Sequence, residues 1–364
     1  MSKIHITLVG GQTAPVYNGI VYTNPDKIIY IYSDRTREET ERLSTEIKIE
    51  SEKRKFDPVN LEEIERDVQK CAEDFRNEKI SINISSGTKP WAFYFSKIFS
   101  LMPNATLFYV DQNNKVWNFS NKTFETINID VDVHLNLYGN SLDKYIRFHD
   151  ISTEDKDVVL KIIELHDYNK ETFFRLIARM RDRSNEIEHH LPNGSYLKWD
   201  VSNKQFYFNI IKKGISLKKT LKSKNVRHLL LKAGWFEYRI ASIISSWEHA
   251  IEIRMNCTFP YKDSATKNEI DIIVNTGKKL LFVECKTQIE DNTDIDKFNS
   301  AVRNYGGTGC KSLFVTNTPM TDRAREKCED YKILTYSLQD NHFNMTNEEA
   351  LHLLLNNELF NINA

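Results

Sequence analysis

The chain has 364 residues, 50 lysines and arginines against 51 acids, a formal net charge of −1 and 11% aromatic residues. That length suits two ordinary domains, and the charge balance excludes a uniformly basic coat while leaving room for local patches. No run reaches the about 18 apolar residues of a membrane span, no charged-then-apolar leader opens the chain, and five scattered cysteines (Cys71, Cys257, Cys285, Cys310, Cys328) form no Cys-x-x-Cys pair, so a reduced, cytoplasmic protein without membrane partner or zinc site is expected.

Residues 1 to about 140 alternate strand and helix. Ile4–Val9, Ile28–Tyr32, Ile80–Ile84 and Thr106–Val110 read as strands, and Val116–Phe119 closes a hairpin. Between them, a short segment after the first strand, Arg35 to about Glu50, Val59–Arg76 and Pro90–Met102 read as helices. Such alternation implies an α/β domain, a mostly parallel sheet with helices on both faces. Ligands of such sheets bind at the carboxyl ends of the strands. Two loops there carry anion-binding groups: Gly10-Gly11-Gln12-Thr13, and Ser85-Ser86-Gly87-Thr88-Lys89 before a helix. Glycines let backbone N–H groups approach a phosphate, hydroxyls donate, and Lys89 adds charge at a helix N-terminus. Ser33-Asp34, a plausible helix cap after the second strand, is counted with this candidate ligand set. The Gly-x-x-x-x-Gly-Lys spacing of a P-loop is absent.

From about 140 to 195 the pattern is helical (Leu142–His149, Thr153–His166, Glu171–His189) and suggests a connector between domains. A β-like piece over Tyr196–Ile211 follows. The next stretch then holds Lys212, Lys213, Lys218, Lys219, Lys222, Lys224 and Arg227 with no acid among them. A one-signed cluster of this kind suits sequence-independent contact with a phosphate backbone.

Leu229–Trp247 reads as one apolar helix, Ile251–Phe259 as a strand. The most unusual stretch is Asn268–Gln288, two apolar β-branched runs around a Thr-Gly-Lys-Lys turn, a hairpin signal. Its strands carry Asp271, Glu284 and Lys286, and charges are seldom buried unless paired or metal-bound. Strand alternation points Glu284, Lys286 and Gln288 the same way, and pairing across the turn brings Asp271 close. Facing carboxylates repel unless a cation lies between them, and an oxygen-rich site suits Mg²⁺ or Mn²⁺. A lysine beside such an ion can orient or activate water for attack on a phosphodiester. Further helices (Asp294–Tyr305, Thr321–Asp330, Asn347–Asn356) and strands (Ser312–Thr316, Lys332–Tyr336) complete the chain.

Asn-Glu-Ile-Asp followed by Phe-Val-Glu-Cys-Lys-Thr resembles the active-site hairpin of PD-(D/E)XK nucleases, with Ile270 in place of the signature proline. Gly234-Trp235-Phe236-Glu237 resembles their upstream helix glutamate, and Ser-Ser-Gly-Thr-Lys is a one-residue variant of the pocket motif of CARF domains. Together these are similar to the CARF-domain nucleases of type III CRISPR systems. The resemblance implies an N-terminal Rossmann-like CARF domain (1–140) that binds cyclic oligoadenylate, in first place cyclic tetra-adenylate, across a homodimer axis. It implies a helical connector (141–195) and a restriction-endonuclease-like domain (196–364) acting on DNA, RNA or both. Metal ligands would be Asp271, Glu284 and the Cys285 carbonyl, with Glu237 assisting, Lys286 at the attacking water and Gln288 orienting water or phosphate. Two alternatives stay open. Arg183 and His189 resemble the Arg-x(4–6)-His pair of metal-free HEPN ribonucleases, and residues 196–232 can be stretched into the winged helix of a non-catalytic CARF regulator.

Overall fold

The computed structural model describes residues 1–111, 113–182, 187–260, 269–289, 292–307, 310–340 and 344–360, for 181 and 182 the backbone only. Arg183 and Asn268 lie outside the described residues.

The N-terminal part runs β1 (Lys3–Leu8), α1 (Ala14–Thr23), β2 (Lys27–Tyr32), α2 (Arg37–Glu46), β3 (Glu50–Lys55), α3 (Leu61–Asp74), β4 (Lys79–Asn83), α4 (Lys89–Phe99), β5 (Ala105–Val110), β6 (Lys115–Asn118), β7 (Thr123–Thr126) and α5 (Val131–Leu137). Its seven strands lie in the order β3-β2-β1-β4-β5-β6-β7, the first five parallel and the last two antiparallel. Ile4, Ile6, Leu8, Ile29, Ile31, Ile80 and Ile82 pack one face against α3 and α4 through Ile64, Val68, Trp91, Phe95 and Phe99. Val16, Ile20 and Leu43, from α1 and α2, cover Ile28 and Tyr30 on the other face. Full burial of β1 and β2 explains their near-continuous apolar runs. The expected helix over Arg35–Glu50 stops at Glu46, and the charged segment Glu50–Lys55 becomes the edge strand β3. Charge on an edge blocks further strand pairing.

The rest runs β8 (Lys144–Arg147), α6 (Thr153–Tyr168), α7 (Lys170–Asp182), β9 (Glu188–His190), β10 (Tyr196–Asp200), β11 (Gln205–Lys212), β12 (Ile215–Lys222), α8 (Val226–Leu231), α9 (Gly234–Ser245), β13 (Glu252–Thr258), β14 (Glu269–Asn275), β15 (Leu280–Lys286), α10 (Thr293–Tyr305), β16 (Cys310–Thr316), α11 (Asp322–Asp330), β17 (Leu334–Ser337) and α12 (Asn347–Leu355). A six-stranded sheet has the order β17-β16-β15-β14-β13-β8, with β14–β15 near its centre, and a separate antiparallel sheet has the order β12-β11-β10-β9. Residues 141–195, expected as a helical connector, are built into this part. Lys144–Arg147 is the outer strand β8, not a helix, and α6 and α7 share one core with β13–β15 and the four-stranded sheet. His189, expected at a helix end, sits on strand β9 and pairs with Leu197.

The two parts meet through α5. Val131 and Leu135 enter the core of the second part with Ile270, Ile273 and Phe282, whereas Leu137 packs with Val16, Ile20 and Tyr30 of the first. Fully buried Arg254 of β13 binds Asp132 through both its terminal nitrogens, at 2.5 and 3.0 Å. Such a pair is costly to break, because a buried charge is left behind. The turn joining β14 to β15 seats on the N-terminal part as well. Asn114 donates to the carbonyls of Gly277 (3.0 Å) and Lys278 (3.1 Å), and Asn275 donates to the Ile129 carbonyl at 2.8 Å.

Candidate active site

The hairpin pairs Ile272 with Val283, Ile273 with Phe282, Val274 with Leu281 and Asn275 with Leu280, the register that sets Asp271 beside the end of β15. Asp271 Oδ2 accepts the Cys285 N–H at 2.7 Å, and Lys286 Nζ lies 2.6 Å from Glu284 Oε1. Glu237 reaches the same place because the expected single helix Leu229–Trp247 is broken. Ala233 adopts φ 62, which ends α8 and starts α9 on a new axis whose first turn carries Glu237. Its Oε2 is buried without a hydrogen-bond partner.

Burial pushes the Asp271 carboxyl up to about 6, with Glu269 and Asp294 adding to the rise and Lys286 and the Cys285 N–H opposing it. Burial, then Asp271, pushes Glu284 up to about 8. Glu237 is driven well above the carboxylate range by burial and by the charges of Asp271, Glu269 and Glu284. For Lys286, burial is outweighed by Glu284 and Asp271, and the ammonium is held above its ordinary range. Lys286 is therefore a fixed cation here, suited to aligning water and countering phosphate charge rather than to removing a proton. Carboxylates that repel one another, with one oxygen of Glu237 left unpartnered, form the donor set a hard divalent cation relieves. Among the described residues no three His, Cys, Asp or Glu side chains are spaced as a closed metal cage. A cation here would rest on two carboxylates and a backbone carbonyl. The Cys285 thiol itself is buried and pushed well above its usual range, so that only its carbonyl qualifies as a ligand.

Asp271, Lys286, Gln288, Glu237 and Asp294 line one solvent-open cleft of about 940 Å³. Glu284 is 13% exposed beside Lys286, and Gln288 is exposed just past the strand end. Asp294, and Arg175 on the cleft wall, escaped sequence reasoning, whereas Lys232, the end of the basic run, lines the same wall. Each stands on a helix or turn that only the tertiary fold brings to the hairpin.

The N-terminal loops follow β1 and β4, adjacent parallel strands at the point where the connection direction of the sheet reverses. The Gly10 N–H donates to Ser86 Oγ at 3.0 Å, and Ser86 Oγ donates to the Gln12 carbonyl at 3.2 Å. A Cβ on Gly10 would stand 2.7 Å from the Gly87 nitrogen, and Gly87 itself has φ +78, so both glycines are required by this close approach. Gly11, Gln12, Gly87 and Lys89 are exposed at the rim. Thr88 caps α4 by accepting the Trp91 N–H. Ser85 turns inward to Asn83 and to the Val110 N–H. Thr13 is 1% exposed and donates to the Leu137 carbonyl at the end of α5 (3.2 Å), which joins this loop to the helix between the parts. Ser33 caps its short helix with Thr36, and Asp34 pairs with Lys55 at 2.6 Å.

The basic run folds as the end of β11, all of β12 and the approach to α8. Alternation divides it. Lys219 faces inward to Glu164 at 2.5 Å, Lys212 donates to the Tyr168 carbonyl at 2.8 Å, and Arg227 lies 5.2 Å from the Trp199 ring centroid. Lys213, Lys218, Lys222 and Lys224 are exposed.

Residues 4–139 match the family model of the Card1 CARF domain. This segment is a CARF domain. Over nearly its whole length the chain is similar in fold to several solved proteins. Can2 from Sulfobacillus thermosulfidooxidans, solved in complex with cyclic tetra-adenylate, is 18% identical, with a TM-score of 0.70 over 97% of this chain and 98% of that one. Protein VC1899 from Vibrio cholerae is 15% identical, with a TM-score of 0.72 over 97% of each chain. A type III CRISPR defence DNA nuclease activated by cyclic oligoadenylate is 15% identical, with a TM-score of 0.59, and covers 96% of this chain and 52% of its own. No curated protein sequence matches the chain. Among the described residues, no helix is long and apolar enough to cross a membrane. The CARF domain thus places its two glycine loops on one sheet edge, and α5 carries the connection from that edge toward the hairpin.

Proposed function

We propose that this protein is a metal-dependent nuclease held in check by its CARF domain and released by a cyclic oligoadenylate, in first place cyclic tetra-adenylate. The observation that carries the reading is the convergence of Asp271, Lys286 and Glu237 on one cleft, with Glu284 bound to Lys286 beside it and the carboxyl groups raised by burial and mutual repulsion. Asp271, Glu284 and the Cys285 carbonyl would hold Mg²⁺ or Mn²⁺, which when bound supplies Lewis-acid activation of water and phosphate. Lys286 keeps its proton, aligns the attacking water and offsets charge growing on the phosphorus oxygens. Glu237 steadies the same cluster from α9, and Gln288 at the mouth orients phosphate. Exposed Lys213, Lys218, Lys222 and Lys224 would attract the backbone of DNA or RNA without reading its sequence. The ring would lie on Gly10–Thr13 and Ser85–Lys89, with a second copy of the chain presenting the same loops across a two-fold axis.

The test is cleavage of plasmid, single-stranded DNA and single-stranded RNA with Mn²⁺, with and without cyclic tetra-adenylate. Lys286→Ala and Glu284→Ala are expected to lower activated cleavage at least about 100-fold. Full activity in either variant, or cleavage that persists in EDTA, would refute the mechanism.

A further inference from the structure

A second cavity, of about 580 Å³, lies on the other side of Glu237 from the cleft. Glu237 lines both, and Glu269, two residues before Asp271 on β14, continues the same strand face into it. Its walls are Tyr145, Tyr238 and Met255. The ladder between β13 and β8 slips between Met255 and Thr258, and Asn256 takes φ 52 there, which opens the wall.

Three residues that line this cavity each carry a buried polar atom without a hydrogen-bond partner: Asp155 (Oδ1), Thr258 (Oγ1) and Glu237 (Oε2). Asp155 is 7% exposed and Thr258 4%. Leaving such an atom unpaired costs about 1–3 kcal/mol, and most native proteins avoid it. Asp155 is held in place by its neighbours. Its Oδ2 accepts from Asn225 Nδ2 at 2.8 Å, and its N–H donates to Ser152 Oγ at 3.1 Å, fixing the carboxylate at the first turn of α6 with Oδ1 left over.

We propose that this cavity is a nucleobase subsite that receives a base adjoining the scissile phosphate and selects bases bearing an exocyclic amino group. The proposal rests on the nuclease reading for its geometry, because the shared Glu237 wall lets a nucleotide whose phosphate lies at Lys286 place its base there. Carboxylate oxygens repel phosphate and take only a hydrogen-bond donor, such as an amino group, whereas two tyrosines suit a flat aromatic ring. An amino group of cytosine, adenine or guanine satisfies Asp155 Oδ1, and uracil or thymine would set a carbonyl oxygen against it. The cavity is large enough for a base with its sugar, and it adds sequence preference to a backbone contact that has none.

Asp155→Asn is the discriminating variant. Asn225 keeps its acceptor by holding the new amide oxygen, so the amide NH₂ turns into the cavity and the expected preference reverses toward uracil and thymine. Cleavage of a randomised oligonucleotide by the activated full chain, read by sequencing the product ends, should show one position beside the cut favouring amino-bearing bases at least about fivefold. In Asp155→Asn this bias should vanish or invert. Absence of any bias in the parent chain, or the same bias in the variant, overturns the proposal. If the parent chain cuts nothing, the nuclease reading fails by itself. The subsite is then judged by calorimetric titration of the full chain with cytidine and uridine monophosphates, which differ in the base edge alone, an amino group and bare N3 in one and a carbonyl and N3–H in the other. Preference for cytidine that reverses in Asp155→Asn supports it, and equal binding overturns it. Should Asp155→Asn not fold, Thr258→Val, which removes no hydrogen bond present in the structure, is expected to weaken the same preference about two- to fivefold. An unchanged preference there overturns the proposal.

Discussion

Glu284 is an acid that the folded chain protonates more readily than the unfolded one. Its carboxyl titrates near 4.5 when exposed and is pushed up to about 8 by burial and by Asp271. Between those values the native state holds the extra proton, so each step upward in pH favours unfolding. The metal-free chain is therefore expected to lose stability from about pH 5 to pH 8. Glu284→Gln keeps the shape and removes the charge. In EDTA at pH 8 this variant should be more stable than the parent by roughly 1–3 kcal/mol, with little difference at pH 4. Urea unfolding at both pH values checks this, and an equal slope for both chains would show that the site does not strain its carboxylates. Asp271, Glu284 and Lys286 were legible in the sequence because charges on an apolar hairpin contradict their surroundings. Asp294 and Asp155 were not, because an acid in the first turn of a helix is ordinary there. Their meaning comes only from what lies opposite.

At the scale of elements, the β14–β15 turn contacts the CARF domain directly. Gly277 has φ +74, and a Cβ there would meet Asn128 Oδ1 at 2.4 Å. Gly277→Ala should cost about 1–2 kcal/mol from strain and displacement, and should shift the turn away from Asn114 and Asn128. The ratio of activated to basal cleavage is expected to fall several-fold, measured with and without cyclic tetra-adenylate. A ratio equal to that of the parent would remove this contact from the control path. The hairpin and the buried strands β1, β2 and β4 were readable from their apolar runs. α5 and β8 were not. Val131–Leu137 is short and split between two cores, so no single apolar face marks it. Lys-Tyr-Ile-Arg becomes a strand only because β13 offers an edge far along the chain. β3, entirely charged or polar, carries no apolar signal at all.

At the scale of the whole molecule, the helices expected as a spacer belong to the core of the second part, and the link between the parts narrows to α5 and the hairpin turn. Thr13 in the first glycine loop holds the Leu137 carbonyl, and Val131, Asp132 and Leu135 hold the strands that carry Asp271. A free-energy coupling carried by one such bridge is the same whichever end is loaded. Nucleic acid in the cleft should then tighten the hold on the ring. With Ca²⁺ in place of Mn²⁺ to suppress cleavage, labelled cyclic tetra-adenylate should bind the DNA-loaded chain with a lower Kd, by the factor with which the ring tightens DNA binding. Equal affinities of loaded and empty chains for the ring would show that the bridge carries no coupling. If the factors agree, occupancy by the ring is set in part by the target: on the proposed reading, nucleic acid still waiting to be cut would help the chain to keep its own alarm.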